Sequence, residues 1–193
     1  AQPLAFEEKR VGDYTQDGTT SKRLIVLDRH TGKVLWQQEA RYGFRHNAIA
    51  IGNGRLFAID RLSDSVLKIL ARRGVKTTGQ PRLTAWDART GKELWNTEQD
   101  VFGTWLGFSA GHDRLLQCGR PARDMLRDEP ANRMIVYHGR SGKVAWDKPI
   151  RYGGPCLLHR RSIITQESAV DLLTGEPVER TNPLTGRREP WQF

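Results

Sequence analysis

The stretch Leu24–Trp36, LIVLDRHTGKVLW, is the first of three related copies of one sequence motif along the chain. It returns as LTAWDARTGKELW at Leu83–Trp95 and, less well preserved, as MIVYHGRSGKVAW at Met134–Trp146. The shared core, Asp-x-x-Thr-Gly-Lys-x-x-Trp, is complete at Asp28, Thr31, Gly32, Lys33 and Trp36 and again at Asp87, Thr90, Gly91, Lys92 and Trp95. The third copy has His138 and Ser141 in place of Asp and Thr, and keeps Gly142, Lys143 and Trp146. Self-similarity of this kind indicates a repeat protein.

Each copy has the pattern of a β-hairpin. Apolar residues such as Leu24 and Val26 precede the Asp, and a second apolar run ends at the Trp. The Asp carboxylate can accept hydrogen bonds from backbone N–H groups of the turn, and the Gly supplies the positive φ that closes it. Each Trp offers a large apolar face and one N–H donor, so we expect it to pack between neighbouring sheets.

A second hairpin follows each copy, after an aromatic-Gly pair. These pairs are Tyr42-Gly43, Phe102-Gly103 and Tyr152-Gly153. The predicted hairpins join Asn47–Ile51 to Arg55–Ile59, Trp105–Ala110 to Arg114–Cys118, and Cys156–His159 to Ser162–Gln166. The step Asn53-Gly54 favours a tight reversal. Four strands per unit are typical of a propeller blade.

The repeated phrase resembles that of the pyrroloquinoline-quinone (PQQ)-type β-propellers, the quinoprotein alcohol dehydrogenase-like superfamily. The resemblance implies an all-β fold in which each blade has four antiparallel strands and the Trp docks its blade onto the next. The superfamily contains both dehydrogenases and catalytically inert scaffolds, such as the lipoprotein of the bacterial outer-membrane barrel-assembly machinery. The resemblance therefore implies a fold, and function must be argued from the residues.

The domain organisation follows the repeats. We predict a polar N-terminal segment at residues 1–21, with a strand remnant at Leu4–Phe6, and PQQ-like repeats at residues 22–193. The phrases lie at 24–36, 83–95 and 134–146, with a degenerate copy at 168–175. We expect about three to four blades in an incomplete ring, because the resembled family has about eight. A compact four-bladed ring is the alternative. An open sheet edge would invite association or need covering.

Two insertions lengthen the units. The repeat intervals are 59 residues from Trp36 to Trp95 and 51 from Trp95 to Trp146, more than the roughly 40 to 45 of a bare four-stranded blade. The excess lies between the second and third strands, at Leu62–Gln80 and Pro121–Asn132. In the first insertion, SDSVLKILARRG predicts a short helix capped by Ser63 or Asp64 and stopped at Gly74. Its apolar residues Val66, Ile69 and Leu70 are expected to pack on the propeller rim.

The pattern shortens near the C-terminal end of the sequence. Asp171, Thr174 and Gly175 repeat the turn, but Pro177 stands in the returning strand and no Trp follows at the usual offset. A further Thr185-Gly186 step precedes Trp191, which ends a stretch expected to be unpaired. Three prolines, Pro177, Pro183 and Pro190, restrict any strand here to an edge.

Composition and charge limit the functional classes. Hydrophobic residues make up 37% of the chain, and no apolar run approaches the roughly 20 residues of a membrane span. The net charge of +9 favours contact with anionic partners, so a protein or an anionic envelope polymer is a candidate partner. The basic residues are scattered and lack the aromatic-interleaved stripe of a nucleic-acid binder. Cys118 and Cys156 either form one disulfide or remain buried thiols. The first residues lack the pattern of a signal peptide.

Residues that recur in every unit serve a need of every unit, so we predict a structural role for the repeated positions. This set is Asp28, Thr31, Gly32, Trp36, Asp87, Thr90, Gly91, Trp95, Gly142 and Trp146. Ligand-binding residues must instead be non-periodic and lie near the expected channel, which singles out His46, Asn47 and Trp105. His46 can bind a metal or an anion, or can simply hydrogen-bond a strand end. Trp105 can stack on a flat ligand or fill the space between blades.

Two classes of function remain open at this stage. The first is a non-enzymatic repeat module that presents a binding or scaffold surface. The second, implied by the resemblance alone, is a fragment of a quinoprotein oxidoreductase that uses PQQ and Ca²⁺ on small alcohols or aldehydes. No catalytic residue, metal site or cofactor is identified in these residues, because no cysteines are adjacent and no set of Glu, Asn and Asp has the spacing of a Ca²⁺ site. The resemblance also implies a periplasmic or otherwise extracytoplasmic location.

Overall fold

The computed structural model describes residues 20–62, 64–76, 79–120 and 130–191. The predictions for residues 1–19, including the strand at Leu4–Phe6, and for residues 121–129 of the second insertion lie outside this range. The described elements, in chain order, are β1 (Thr20–Leu27), β2 (Val34–Gly52), β3 (Arg55–Asp60), α1 (Asp64–Arg72), β4 (Arg82–Asp87), β5 (Glu93–Thr97), β6 (Trp105–Ser109), β7 (Arg114–Cys118), β8 (Met134–His138), β9 (Val144–Lys148), β10 (Leu157–His159), β11 (Ser162–Ile164), β12 (Ala169–Asp171), β13 (Glu179–Thr181) and β14 (Arg188–Pro190).

The strands form successive antiparallel sheets that correspond to propeller blades. Blade I contains β1 and the first part of β2, where Val26 pairs with Trp36. Blade II contains the last part of β2 with β3, β4 and β5, and blade III contains β6 to β9 in sequence order. Blade IV begins with β10, β11 and β12. The all-β fold and the four-stranded unit predicted from the repeats are confirmed for blades II and III.

Strand β2 belongs to two blades at once. Residues 34–39 pair with β1, whereas residues 49–52 pair with β3, and Phe44 has a partner on each side. The sequence predicted one strand that ends at Trp36 and a second at Asn47–Ile51, whereas the structure has one strand from Val34 to Gly52. The register of the β1–β2 ladder shifts between Glu39 and Phe44, and there Gly43 lies against Thr20, where an added Cβ would be 3.0 Å from the Thr20 Cβ.

The core consists of three layers, one between each pair of neighbouring blades. Alternate residues of a strand point to opposite faces of its sheet. In β3, Leu56 and Ala58 therefore pack toward blade I, while Phe57 and Ile59 pack toward blade III. Blade III repeats this arrangement toward blade IV with Leu116, Cys118, Met134 and Val136. Each blade thus depends on both neighbours to bury its apolar side chains.

Helix α1 lies in the first insertion, as the sequence predicted. Of the three apolar residues expected to pack, Val66 and Leu70 do so, whereas Ile69 is half-buried and lies outside the cluster. Val66 and Leu70 are buried together with Leu62, and Tyr42 and Leu67 lie against them. Gly74 follows the helix with a φ of 70°, as expected of a residue that ends a helix in the left-handed region. The helix is therefore attached to the rim of blade II through its apolar face.

The C-terminal strands correct a second prediction. Residues 179–181 pair with residues 188–190, so the stretch before Trp191 is not unpaired. The hairpin is a separate two-stranded sheet. An isolated bridge between Val170 and Pro177 and a hydrogen bond from Val178 N–H to the Ala169 carbonyl connect it to β12 of blade IV. The turn between its strands is a further copy of the repeated turn, with Asn182 in the place of Asp.

Candidate functional site

The repeated turn forms the same hydrogen-bonded structure in successive blades. Asp28 Oδ1 accepts hydrogen bonds from Thr31 N–H and from the Thr31 hydroxyl, both at 2.8 Å. Asp87 makes the same two bonds to Thr90 at the same distances. These bonds stabilise the ionised form, and the Thr hydroxyl is the main reason that the pKa of each carboxyl lies below its ordinary value. The residues that recur in the sequence therefore close the turn.

The third copy shows which part of the motif the turn requires. His138 has no carboxylate, yet its N–H still donates to Lys143 O and its carbonyl still accepts from Gly142 N, both at 2.8 Å. Gly142 has a φ of 69°. The Asp and Thr side chains add bonds within the turn, whereas the backbone fold itself requires the Gly.

Each repeated Trp docks on the turn of the following blade. Trp36 Nε1 donates to the Ala88 carbonyl at 3.0 Å, and Trp95 Nε1 donates to the Gly139 carbonyl at 2.9 Å. Trp146 Nε1 donates in the same way to the Leu172 carbonyl at 2.9 Å. In each case the acceptor is the second residue of the next turn. The Trp ring also covers the glycine of that turn, at Gly91, Gly142 and Gly175 respectively.

The glycines of the turns provide a test of this docking. Gly91 has a φ of +71°, and an added Cβ would lie 2.7 Å from the Trp36 ring. Gly32 has a φ of +68°, and an added Cβ would have nothing within 4 Å. We expect Gly32→Ala to cost about 1–2 kcal/mol for the left-handed backbone. Gly91→Ala should cost a further roughly 1–3 kcal/mol because the ring must move.

Chemical denaturation of the two variants measures this difference directly. Because the backbone strain is the same, the gap between them isolates the contact with Trp36. Equal losses in Gly32→Ala and Gly91→Ala would show that the ring does not rest on the glycine.

The repeated turns lie along one edge of the sheets, which we name the turn edge. The turn between the first two strands of a blade lies beside the repeated turn at this edge. In blade II Ala88 N–H donates to Gly54 O, and in blade III Gly139 N–H donates to Asp113 O. Exposed basic side chains recur on these turns, one Arg and one Lys in each of three blades. This basic row consists of Arg29, Lys33, Arg89, Lys92, Arg140 and Lys143.

The turn edge keeps an excess of positive charge, because the six cationic side chains of the basic row outnumber the carboxylates of Asp28, Asp87 and Asp113, although Asp87 interacts electrostatically with Arg89. Asp28 and Asp87 direct an oxygen into their own turns, as described above. Asp113 is bound by the Arg55 guanidinium and also accepts from Arg140 N–H. In blade IV the equivalent turn has Leu173 at the position of Arg89 and Arg140 and Glu176 at the position of the three Lys residues, so this turn adds no basic side chain to the row.

The opposite edge carries two buried polar anchors that the sequence did not reveal. Asp60 accepts hydrogen bonds from Arg41 N–H at 2.6 Å, Tyr42 N–H at 3.0 Å and Gly43 N–H at 2.8 Å. Gln117 Oε1 accepts from Phe102 N–H and Gly103 N–H, both at 3.0 Å. Each anchor holds the aromatic-Gly pair that leads into its own blade. A polar residue closing the second strand after an apolar run is the signal that could have found them.

Gln117 also connects to a buried tyrosine. Its Nε2 donates to the Tyr137 hydroxyl at 2.8 Å and to the Asp100 carbonyl at 3.2 Å. Burial raises the pKa of Tyr137 well above its ordinary value. The phenol is therefore neutral at physiological pH and serves as a hydrogen-bonding group.

The residues predicted to face a channel are distributed over two blades. His46 is exposed on β2 and shares a hydrogen bond of 2.8 Å with the Ser21 hydroxyl of blade I. Asn47 is exposed beside it. Trp105 is half-buried on β6 and packs against the core between blades III and IV. Because the contacts of His46 and Trp105 lie in different spaces between blades, a shared ligand site for the three residues stays a prediction.

The described residues do not offer the set of ligands needed for the Ca²⁺ implied by the resemblance. Ca²⁺ requires six to eight oxygen ligands. Three of the carboxylates near the blade ends are already engaged: Asp60 by backbone N–H groups, Asp113 by Arg55, and Asp100 by Arg133 at 3.0 Å. Among the residues described, no group of three or more His, Cys, Asp or Glu side chains has the geometry to hold a metal ion.

The stacked four-stranded blades, the Asp-Thr-Gly turns and the docked Trp residues define a PQQ-type β-propeller repeat protein. The sequence profile of the family described as outer membrane protein assembly factor BamB matches residues 21–189. The chain therefore belongs to this family. No curated protein matches the sequence significantly.

Two solved structures show the same fold. BamB from Moraxella catarrhalis matches with a TM-score of 0.53 and 18% identity, over 80% of this chain and 43% of that chain. A europium-containing methanol dehydrogenase matches with a TM-score of 0.54 and 13% identity, over 90% of this chain and 39% of that chain. The chain thus spans less than half the length of either structure. In the part of the chain described, no helix is both long enough and apolar enough to cross a membrane.

Proposed function

We propose that this chain is a non-enzymatic PQQ-like repeat module that acts as a scaffold and binds a protein partner through the basic row of its turn edge. The partner presents an acidic surface, and the complex forms in the periplasm or another extracytoplasmic compartment. The description of the family as an outer membrane protein assembly factor supports a protein partner in the cell envelope.

The main observation behind the proposal is that each turn contains two kinds of residue, those that close the turn or dock the blades and those that are exposed and basic. The Asp, Thr, Gly and Trp of the motif are engaged in closing turns and docking blades. The Arg and Lys positions between them are exposed in three successive blades. Because neighbouring turns are joined by the Trp contacts, the basic side chains are held in one ordered series. An ordered series of like charges favours binding to a surface of opposite charge.

The chain as a whole adds a long-range attraction to this local one. Its net charge of +9 raises the rate at which anionic partners encounter it. The ionic contribution should weaken as the Debye length falls from about 10 Å at 0.1 M ionic strength toward about 3 Å at 1 M. Binding that depends on the basic row should therefore decrease steeply with added salt.

A charge-reversal experiment tests the proposed surface. The probes are purified periplasmic domains of the outer-membrane assembly machinery, titrated calorimetrically with the chain at low salt. We expect the triple variant Arg29→Glu, Arg89→Glu, Arg140→Glu to raise the Kd about tenfold to hundredfold, since three exposed ion pairs each contribute up to about 1 kcal/mol. The variant should keep the fold because these side chains lie outside the cores.

The matched control is Lys68→Glu, Arg72→Glu, Lys76→Glu, which changes the net charge equally on and beside helix α1 at the opposite edge. This control should bind within about twofold of the unmodified chain. Equal weakening by both variants would assign the attraction to net charge and contradict the turn edge. Polyglutamate serves as a second probe, and binding of polyglutamate in preference to every protein domain would replace the protein partner with an anionic polymer.

The enzymatic alternative has its own test. The chain is incubated with PQQ and Ca²⁺, and oxidation of small primary alcohols is followed with an electron-accepting dye. Dye reduction that requires the quinone, the metal ion and the chain together would overturn the non-enzymatic proposal.

A further inference from the structure

The two cysteines of the chain face each other across a blade interface. Cys118 ends β7 in blade III, and Cys156 directly precedes β10 in blade IV. Their Sγ atoms are 3.7 Å apart, although the residues are 38 positions apart in sequence. Both side chains are buried in the core between these blades. They are the two cysteines of these 193 residues.

The backbone around the pair is held in place by a separate contact. The Tyr152 hydroxyl, four residues before Cys156, accepts a hydrogen bond from Gly119 N–H at 2.7 Å. The same hydroxyl donates to the Pro130 carbonyl at 2.9 Å. These bonds join the residue after Cys118 to the segment before Cys156. The two cysteines therefore meet because both segments are fixed, and their approach does not depend on a mobile loop.

We propose that Cys118 and Cys156 form a disulfide that links blade III to blade IV. Blade IV starts with three strands of three residues each, which form short hydrogen-bond ladders. Its attachment to blade III relies on side-chain packing and on the Trp146 contact. A covalent link just before β10 would hold the edge of blade IV that lies opposite the turn contacted by Trp146. This proposal does not depend on the identity of any partner.

The oxidation is a thiol–disulfide exchange with a disulfide-bearing oxidant, either glutathione disulfide or a protein dithiol oxidase. One cysteine thiolate attacks the oxidant, forming a mixed disulfide and releasing one thiol of the oxidant. The second cysteine thiolate then attacks the sulfur of the first, forming the protein disulfide and releasing the other oxidant thiol. Two protons and two electrons pass to the oxidant. Because the thiols are buried in the fold, exchange occurs during folding or when the blade interface opens.

The test compares the disulfide in the folded chain with the same disulfide in the denatured chain. The reduced chain is refolded in glutathione redox buffers of graded composition, and a parallel series is kept in guanidinium. Thiols are trapped with an alkylating reagent and counted by mass spectrometry, and peptide mapping identifies the linked residues. We expect the folded chain to keep the disulfide at thiol-to-disulfide ratios several hundredfold more reducing than the denatured chain does.

Thermal unfolding gives a second measurement. The oxidised chain should unfold about 10 °C above the reduced chain, as expected for a link that closes a loop of this length. In Cys118→Ser and in Cys156→Ser the melting temperature should not change between oxidising and reducing buffers. Each variant is its own reference, so any loss from the serine itself cancels.

Two results would overturn the proposal. One is a folded chain whose disulfide is no more resistant to glutathione than that of the denatured chain, since the native structure would then not favour the bond. The other is a folded, oxidised chain that retains two alkylatable thiols or carries its disulfide between two chains.

Discussion

Replacing Trp146 by alanine is expected to lower the free energy of unfolding by about 3–5 kcal/mol. The Trp146 side chain is buried in the core between blades III and IV, and its Nε1 donates to the Leu172 carbonyl. The substitution opens a cavity between the blades and leaves that carbonyl without its indole donor. It also uncovers Gly175, whose added Cβ would lie 3.1 Å from the ring. Urea denaturation followed by circular dichroism measures the loss.

Two further variants separate the parts of this effect. Trp146→Phe keeps an aromatic face but removes the N–H donor, and it should cost roughly half as much as the alanine variant, chiefly the penalty of an unpaired carbonyl and a smaller ring. Trp191→Ala is the matched control, because this ring is 37% exposed and packs near Arg180. Its cost should be about 1 kcal/mol or less. If Trp146→Ala were as stable as Trp191→Ala, the result would contradict a docking role for the repeated Trp.

Replacing Asp60 by alanine is expected to cost about 3 kcal/mol or more, a loss comparable to that of Trp146. The Asp60 carboxylate is buried and satisfies three consecutive backbone N–H groups, at Arg41, Tyr42 and Gly43. A buried donor that loses its partner costs about 1–3 kcal/mol. The N–H of Arg41 can be partly rehydrated, whereas that of Gly43 is buried. Chemical denaturation gives the total loss.

Hydrogen exchange locates the effect within the chain. In Asp60→Ala the amides of Tyr42 and Gly43 should exchange faster than those of the rest of β2. Asp60→Asn keeps one acceptor oxygen, so its loss of stability should be smaller than that of Asp60→Ala but larger than zero. Glu98→Ala is the control, since Glu98 is an exposed carboxylate that pairs with Arg41 at 3.0 Å. It should cost at most about 1 kcal/mol. Equal losses for Asp60→Ala and Glu98→Ala would show that Asp60 anchors nothing.

The two predictions concern opposite edges of the same blades. Docking of each Trp joins the blades along the turn edge, whereas Asp60 and Gln117 fix the aromatic-Gly segments at the opposite edge. A blade is therefore held at both ends by residues other than the exposed Arg and Lys side chains of the basic row. This is the physical basis for placing a binding surface on the basic row.

The sequence alone determined the features that depend on near neighbours in the chain. Turn closure by Asp28 and Thr31 involves residues three positions apart, and the positive φ of Gly32 is a property of a single residue. The alternation of apolar residues predicted the strands, because a strand buries every second side chain on a given face. The periodic Trp indicated stacking of equivalent sheets.

The tertiary structure decided every feature that depends on residues distant in sequence. Asp60 caps amides nearly twenty residues earlier, Cys118 meets Cys156, and the basic residues of separate turns fall into one row only when the blades stack. The hairpin of β13 and β14 also forms in spite of its prolines, because Pro190 lies where its missing N–H is not needed by the neighbouring strand. Local periodicity carries no information about these distances, which are set by the packing of one blade on the next.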